Sequence, residues 1–548
     1  MTPDTQPASH PDPLAGVFLP RLRNSPQPVA HAPLRAASPL LATPASQPPP
    51  LDRRLHRGRE RKGAVLFFLL AATMLFSSAC VVGPNYKRPT APVTPAFKEP
   101  PPQSFKEVDG WKPSQPGDST AKGKWWEIYK DPALNALEEQ VVIGNQNVLL
   151  AEAQFREARA ATNIAKSALY PTIGSAPSVT ESRTANTTPN TSGMHTTLSL
   201  PLSASWEPDL WGSLRRGVTG ATATAQASAA QLENARLSYQ ALLAQDYFLL
   251  HGQDGQYDLL DRTAKSYQEY LVLTKNRYAG GIASDLDVAQ AESQLYTTQS
   301  ELQDLGVLRA QYEHAIAVLT GKPPATLAIP TLVLKNPPPP VPIGVPSALL
   351  ERRPDIATAE RQMAAANEQV GIATAAFYPT LTLGGSIGLQ NTSITRWFSW
   401  PSRFFSIGPA LSQTFYDAGR RKAALTQTET AFDATVATYR ETVLTAFQQV
   451  EDNIAALRIL EEESKTVDHA VASAERALTI SSAQYKAGTT SYLTVITAQA
   501  TALAAERTAI ELLTRRLTAS VLLIQALGGD WDSSQLPAPQ DILPPKQK

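Results

Sequence analysis

Ala168-Leu169-Tyr170-Pro171-Thr172 returns 208 residues later as Ala376-Phe377-Tyr378-Pro379-Thr380. The same spacing sets Glu152 against Glu360, Ile164 against Ile372, Asp209 against Asp417, and Leu319-Thr320-Gly321 against Leu527-Gly528-Gly529. Between them, Tyr278, Gly281, Ser284, Leu286 and Val288 recur as Tyr485, Gly488, Ser491, Leu493 and Val495 at a spacing of 207. One unit therefore runs from about residue 147 to 321 and its copy from about 355 to 529. Solenoid repeats have periods of roughly 20–50 residues, because each is one small unit stacked on the next. A period this long places two large copies side by side, and function lies in what the pair builds.

Close to the repeated Tyr-Pro-Thr, each copy alternates. Leu198, Leu200, Leu202, Ala204 and Trp206 oppose Ser199, Pro201, Ser203 and Ser205, and Leu381, Leu383, Ile387 and Leu389 oppose Thr380, Thr382, Ser386 and Gly388. Partner strands are expected at 172–180 and 406–415. Strands of about 10 residues with one apolar and one polar face carry the pattern of a transmembrane β-barrel. Tyr170, Tyr378, Trp206, Phe415 and Tyr416 stand at strand ends, where an interfacial aromatic girdle belongs. The stretches 182–195 and 392–405 are expected as the outer hairpin loops. Four strands cannot close a barrel, and an open edge in lipid leaves backbone groups unsatisfied at several kcal/mol each. Two copies of the chain supply eight strands and three supply twelve; the pattern admits both.

The remainder reads as helix over 132–168, 213–278, 284–319, 355–376, 418–485 and 491–527. The second of these is on the order of 100 Å long if continuous, with Gly252 and Gly255 as expected points of interruption. A 3-4 spacing through Val288, Ala291, Leu295, Thr298, Leu302, Leu305, Arg309, Tyr312, Ile316 and Leu319 is a heptad seam with small flanking residues, suited to broad side-by-side packing.

Lys+Arg and Asp+Glu are equal at 49 each, so charge gives no case for a nucleic-acid partner. Mean hydropathy is −0.20, too polar for a multi-span helical membrane protein. The one continuous apolar run, 64–76, is shorter than the roughly 20 residues of a spanning helix. It follows the basic run Arg53-Arg54-Leu55-His56-Arg57-Gly58-Arg59-Glu60-Arg61-Lys62 and precedes Ser77-Ser78-Ala79-Cys80, the order of an export signal. Residues 1–50, rich in Pro, Ala and Ser, are expected as a disordered extension or a misassigned start, and 51–79 as a lipoprotein signal peptide. Cys80 is the only cysteine, which excludes an intrachain disulfide. Its setting resembles a bacterial lipobox, with Ser77 where an aliphatic residue is usual. The lipid-bearing cysteine would then begin the mature chain, and Val81 after it fits sorting to the outer membrane. The seven histidines form no i, i+4 pair, so no metal site is expected. Leu349-Leu350-Glu351-Arg352-Arg353-Pro354-Asp355 starts a helix at Pro354-Asp355 with its arginines toward solvent or the protein's middle; an acid–base site there is the less economical reading.

The joint set of motifs resembles a known family, the TolC-like outer-membrane efflux channels of the NodT lipoprotein type. The carrying residues are Cys80-Val81-Val82-Gly83-Pro84-Asn85-Tyr86-Lys87-Arg88-Pro89, Trp125-Trp126-Glu127-Ile128-Tyr129-Lys130-Asp131-Pro132-Ala133-Leu134, Trp206-Glu207-Pro208-Asp209-Leu210-Trp211-Gly212, and Leu349–Ile356 with Ala376-Phe377-Tyr378-Pro379, and the likeness covers about 80 to 531. It implies a mixed α and β membrane protein: a homotrimer with a twelve-stranded barrel, four strands per chain, continuous with a long periplasmic α-helical barrel. Segments 80–131, 132–321, 322–354, 355–529 and 530–548 would be the anchored extended segment, first copy, Pro-rich equatorial linker, second copy and tail. The resemblance further implies a non-enzymatic exit channel that docks a periplasmic adaptor and an inner-membrane RND-type transporter, with a covalent lipid on Cys80 and no other cofactor. Alternatives are the duct of a type I protein-secretion system, or a lipid-anchored coiled-coil structural or adaptor lipoprotein.

By the same resemblance, the reversals at 278–287 and 485–494 form the periplasmic gate. Gly281 and Gly488 suit tight helix reversals, which favour positive φ. Asp285 and Asp287 follow Tyr278 at the first tip and either ring a constriction or serve as first-turn acids stabilising a helix start. Tyr492 and Thr494 hold the matching places behind Tyr485, so the second tip lacks that charge.

Overall fold

The computed structural model describes residues 81–103, 124–184, 193–343 and 346–542. The expected extension and signal, Cys80 and the middle of the first hairpin loop lie outside them. The long helices are α1 (Pro132–Gly144), α2 (Gln146–Ser167), α3 (Ser213–Ala279), α4 (Asp285–Leu319), α5 (Pro354–Ala375), α6 (Arg420–Lys486) and α7 (Tyr492–Ala526). The expected single helix over 132–168 is two. Asn145 between them is extended, its Oδ1 accepts from the Asn147 and Val148 amides, and its Nδ2 donates to the Leu319 carbonyl at 2.9 Å. A cap held from another helix wins over local helix propensity.

Conversely, α3 is not interrupted. A Cβ on Gly252 would stand 2.6 Å from Thr514 Oγ1, and one on Gly255 3.2 Å from Ile510 Cγ2. These glycines admit α7 to the surface of α3 rather than break the helix. In the half nearer the strands the helices run side by side as α2–α3–α5–α6, and in the far half as α4–α3–α7–α6. Only α3 and α6 run through both halves. The outermost helices of the row keep apolar side chains exposed: Ile164 on α2, Val307 and Val318 on α4, Leu444, Ile459 and Ile480 on α6. Along α6 the buried stripe Tyr439, Val443, Ala446, Val450, Ile454, Leu457 and Leu460 has 3-4 spacing and faces α5 in one half and α7 in the other.

The strands form one antiparallel sheet. The first copy supplies β1 (Thr172–Ser175), β2 (Ser178–Thr184) and β3 (Gly193–Trp206); the second supplies β4 (Thr380–Asn391) and β5 (Arg403–Ser412). β1 and β2 are one stave interrupted at Ala176-Pro177. Ser175 pairs with Leu202 and Ser178 with Ser199, so the register is unshifted, and Pro177 has no amide to donate. The last stave ends earlier than expected, which leaves Phe415 and Tyr416 beyond it, 92% and 87% exposed. Four staves lie in the order β1/β2–β3–β4–β5, and among the described residues nothing pairs with either outer edge. Register sorts their faces. Leu202, Ile387 and Phe405 share one row and Trp206, Leu383 and Pro409 another, while Ser203, Ser386 and Ser406 lie opposite. From Leu381 to Leu389 the apolar stripe is roughly 26 Å along the strand, close to the height of the apolar band in outer-membrane barrels.

The copies coincide in structure with one deletion. Gly212 precedes α3 and Gly419 precedes α6, so the spacing changes from 208 to 207 where Asp209-Leu210-Trp211-Gly212 meets Asp417-Ala418-Gly419. The offset then persists: the helix-ending glycine after α7 that answers Gly321 is Gly528, each making the same turn, and not Gly529 as residue matching suggests. Asp209 and Asp417 both brace the strand-to-helix corner, taking the amide and guanidinium of Arg215 and Arg421 respectively.

Around the middle of the row a belt completes the core. Trp125, Leu134 and Val141 pack with Leu243 and Leu250 of α3, Ile316, Val450, Ile454, Val521 and Leu523, and with Ile329 and Val341 of the Pro-rich linker. Arg309, the oddity in the α4 seam, binds Asp254 Oδ1 at 2.7 Å and the Ile329 carbonyl at 2.8 Å, so it pins that linker. Of the two settings expected for the arginines, Arg353 takes the protein's middle: it is buried, donates to the Ala526 carbonyl, Asp355 and Gln449, and thereby ties the end of α7 to the start of α5.

Among the described residues Glu138, in this belt, has an unpaired carboxyl. Glu138 is fully buried, both its oxygens lack partners, and burial pushes its carboxyl well above the usual range. The native chain then keeps a proton that the unfolded chain releases, and stability falls as pH rises between the two pKa values. Glu138→Gln is expected to leave the unfolding midpoint unchanged near about pH 4 and to raise it near about pH 8, flattening the dependence; parallel slopes in thermal melts exclude it.

Candidate functional site

The far ends of the long helices make two hairpin tips. Both use the same reversal. The Ile282 amide donates to the Arg277 carbonyl and Gly281 to Tyr278; Thr489 donates to Gln484 and Gly488 to Tyr485. Gly281 and Gly488 have φ of +75° and +77°, the left-handed position of a Schellman cap.

Beyond the reversal the tips diverge. At the first, Ser284 caps α4, and the Asp287 carboxylate accepts from the Ser284 amide and hydroxyl, each at 2.9 Å. Asp287 is engaged in a capping box; Asp285 is exposed. At the second tip Ser491 makes no side-chain cap, and Thr494 Oγ1 instead meets Thr490 and Ser491 hydroxyls at 3.1 and 3.3 Å. Tyr492 is 1% exposed and lies 5.4 Å from the Tyr485 ring, beside Tyr267 and Tyr270. Burial pushes the Tyr492 phenol up, with Tyr485, Tyr267 and Tyr270 adding to it. Tyr278, the counterpart of Tyr485, is 49% exposed. The structure thus brings Tyr485 and Tyr492 together and leaves Tyr278 and Asp285 facing outward.

Arg277 is the residue that motif reading misses. It ends α3, donates Nη1 to the Tyr485 carbonyl at 2.7 Å and Nη2 to the Lys486 carbonyl at 3.2 Å, and sits 4.4 Å over the Tyr485 ring. It therefore caps the C-terminus of α6, where unpaired carbonyls and the helix dipole favour a cation. The counterpart of Arg277 in the second copy is Gln484, a charge difference visible when the repeats are aligned at 207. Lys275 adds an exposed ion pair with Glu292 at 2.7 Å, joining α3 to α4. Hydrogen bonds from charged donors contribute about 1.5–3 kcal/mol, less where solvent screens them. Arg277 thus links the end of α3 in the first hairpin to the end of α6 in the second.

The likeness to known proteins extends over the whole arrangement. The family described as outer membrane efflux protein matches residues 137–322 and 345–529. The antibiotic efflux pump outer membrane protein ArpC of Pseudomonas putida is 30% identical over 467 residues, covering 84% of this chain and 95% of the relative. The toluene efflux pump outer membrane protein TtgC, also of Pseudomonas putida, has the same 30% identity over 467 residues, again 84% of this chain and 95% of the relative. Among solved structures, the outer-membrane channel OprN superposes with a TM-score of 0.75 at 28% identity, covering 82% of this chain and 99% of that one.

Removal of the Arg277 cap tests the tie. Arg277→Ala is expected to speed amide hydrogen exchange at the end of α6 and the reversal after it several-fold, and Arg277→Lys to restore part of the protection; unchanged exchange in Arg277→Ala shows that the Arg277 cap does not hold this end.

Proposed function

The chain belongs to the outer membrane efflux protein family, and from that premise we propose that it is the outer-membrane exit duct of a tripartite pump that expels small molecules. The observation that carries the reading is the four-stave sheet. Its apolar face is continuous in register across β3, β4 and β5, and its edges are open. In hydrocarbon those edges must pair, and three copies give twelve strands around a lumen lined by the Ser, Thr and Gly face. Closure of the sheet also covers the exposed apolar residues at the two ends of the helix row. In a trimer the four helices that each chain sets side by side in either half become twelve, and these enclose the conduit below the membrane.

Within this reading the helix tips form the gate and the docking end for a periplasmic adaptor and an RND-type inner-membrane transporter. Asp287 is engaged in its cap, so the exposed Asp285 supplies the acidic ring, and rings of carboxylates favour cations. The relatives named for antibiotic and toluene efflux support small organic substrates. Cys80 carries the lipid. Val81 packs on Gly212 at the sheet–helix corner, the Val82 amide donates to the Trp211 carbonyl, and Arg216, paired with Glu368, holds the Val82 and Pro84 carbonyls. That clamp holds the start of the mature segment at membrane level.

The protein reconstituted in planar bilayers is expected to conduct with a preference for cations, and Asp285→Asn to reduce that preference. A monomer that forms no pores sinks the proposal. Metabolic labelling with palmitate is expected to mark the wild-type chain and to leave Cys80→Ser unlabelled; label retained on the variant rules out Cys80 as the anchor.

A further inference from the structure

The apolar stripe of β5 ends in a cation. Leu411, Pro409, Ile407 and Phe405 follow one another on the apolar face, and the next residue on that face is Arg403, in one row with Leu389 and Leu200. Arg403 lies at the end of the stave remote from the helices, beside the 392–402 loop. Its guanidinium stacks 3.5 Å over the Trp400 ring, and among the described residues no carboxylate pairs with it. No acidic residue occurs anywhere from 389 to 405, which also holds Arg396.

The loop is built rather than slack. The Arg396 carbonyl accepts from Ser399 Oγ at 2.6 Å and Ser402 Oγ at 2.7 Å, and Ser402 is 3% exposed. Asn391 Nδ2 donates to Ser402 Oγ at 2.6 Å, and Trp397 Nε1 to the Leu389 carbonyl at 3.4 Å. On this frame Trp400 and Phe398 are 75% and 71% exposed. A guanidinium stacked on an indole keeps its edge donors free and oriented, and its planar fork matches phosphate oxygens in bidentate fashion. On a lipid-facing surface, at the outer limit of the apolar band, the phosphate within reach is that of a lipid headgroup.

We propose that Arg403 on Trp400 is the phosphate-binding element of a site for a phosphorylated lipid of the outer leaflet, with Arg396 as a second cation. This rests on the barrel reading above. The exposed aromatic rings enter the acyl–headgroup boundary, where amphipathic rings partition, and the guanidinium meets the phosphate there.

The test is native mass spectrometry of the full-length oligomer released from bilayers containing a phosphorylated glycolipid, its dephosphorylated form, or neither. The wild-type protein is expected to retain the phosphorylated form about tenfold better than the dephosphorylated one. Arg403→Gln should lose most of that preference, Arg403→Lys part of it, and Arg396→Gln less. Single-channel conductance of each variant is measured in parallel. A variant Arg403→Gln that conducts normally and still retains the phosphorylated lipid like the wild type overturns the site alone. Equal retention of both lipid forms by the wild type, or displacement of the lipid by millimolar inorganic phosphate, overturns it as well. Failure of every protein to conduct sinks the barrel reading instead.

Discussion

Every backbone amide and carbonyl that enters hydrocarbon needs a partner within protein, and in this chain the sheet edges have none. β1/β2 and β5 each present an unpaired side, and an unmet group there costs several kcal/mol. Water cannot relieve it and a hairpin cannot close on itself. The rest of the molecule is organised around these unmet hydrogen bonds. The helix row carries matching unfinished ends, with exposed apolar residues on α2, α4 and α6, so the lateral closure that satisfies the strands also buries the helices.

Duplication supplies the geometry at low informational demand. Each copy carries one hairpin, one through-running helix and shorter helices that complete the row above and below the belt. The single deletion between Asp209 and Gly212 falls at the strand-to-helix corner, where Trp211 of the first copy stacks 4.7 Å from Tyr378 of the second and donates to the Pro379 carbonyl. Ala418 replaces the Leu210–Trp211 pair in the second copy and adopts φ of +53°. The loss of one residue falls before both helices begin, so their patterns continue in step at a spacing of 207. Identical staves would generate a sixfold ring of equal parts; the two corners and the two tips make the ring alternate.

Much of this was legible from residue order because the punctuation is local. Gly212 and Gly281 bound α3, Gly488 ends α6, and the alternation of β3 and β4 states their faces outright, whereas the expected start of α6 at 418 ran past Gly419, which precedes the helix. The misread places are those decided at long range. Asn145 ends a helix because the Leu319 carbonyl lies beside it. Gly252 and Gly255 resemble breaks until α7 is seen against them. The tip was partly legible: glycines and acids are local signals, whereas Arg277 acquires its role only when the end of α6 arrives beneath it. For Arg353 residue order left two settings open, solvent or the protein's middle, and the open carbonyl of Ala526 decides for the second.

Arginine is therefore the residue by which this chain joins distant segments, and the physical reason is common to all the cases. Arg216 holds the Val82 and Pro84 carbonyls, Arg309 that of Ile329, Arg353 that of Ala526, and Arg277 those of Tyr485 and Lys486. Three of the four also pair with a carboxylate: Arg216 with Glu368, Arg309 with Asp254, Arg353 with Asp355. A planar fork satisfies a carbonyl and an acid at once, which settles both the loose segment and the desolvated charge. Arg277 differs, for a ring face takes the place of the acid. The joints of the belt and of the N-terminal segment thus each carry a neutralising carboxylate, and the joint at the tip carries an aromatic face in its place.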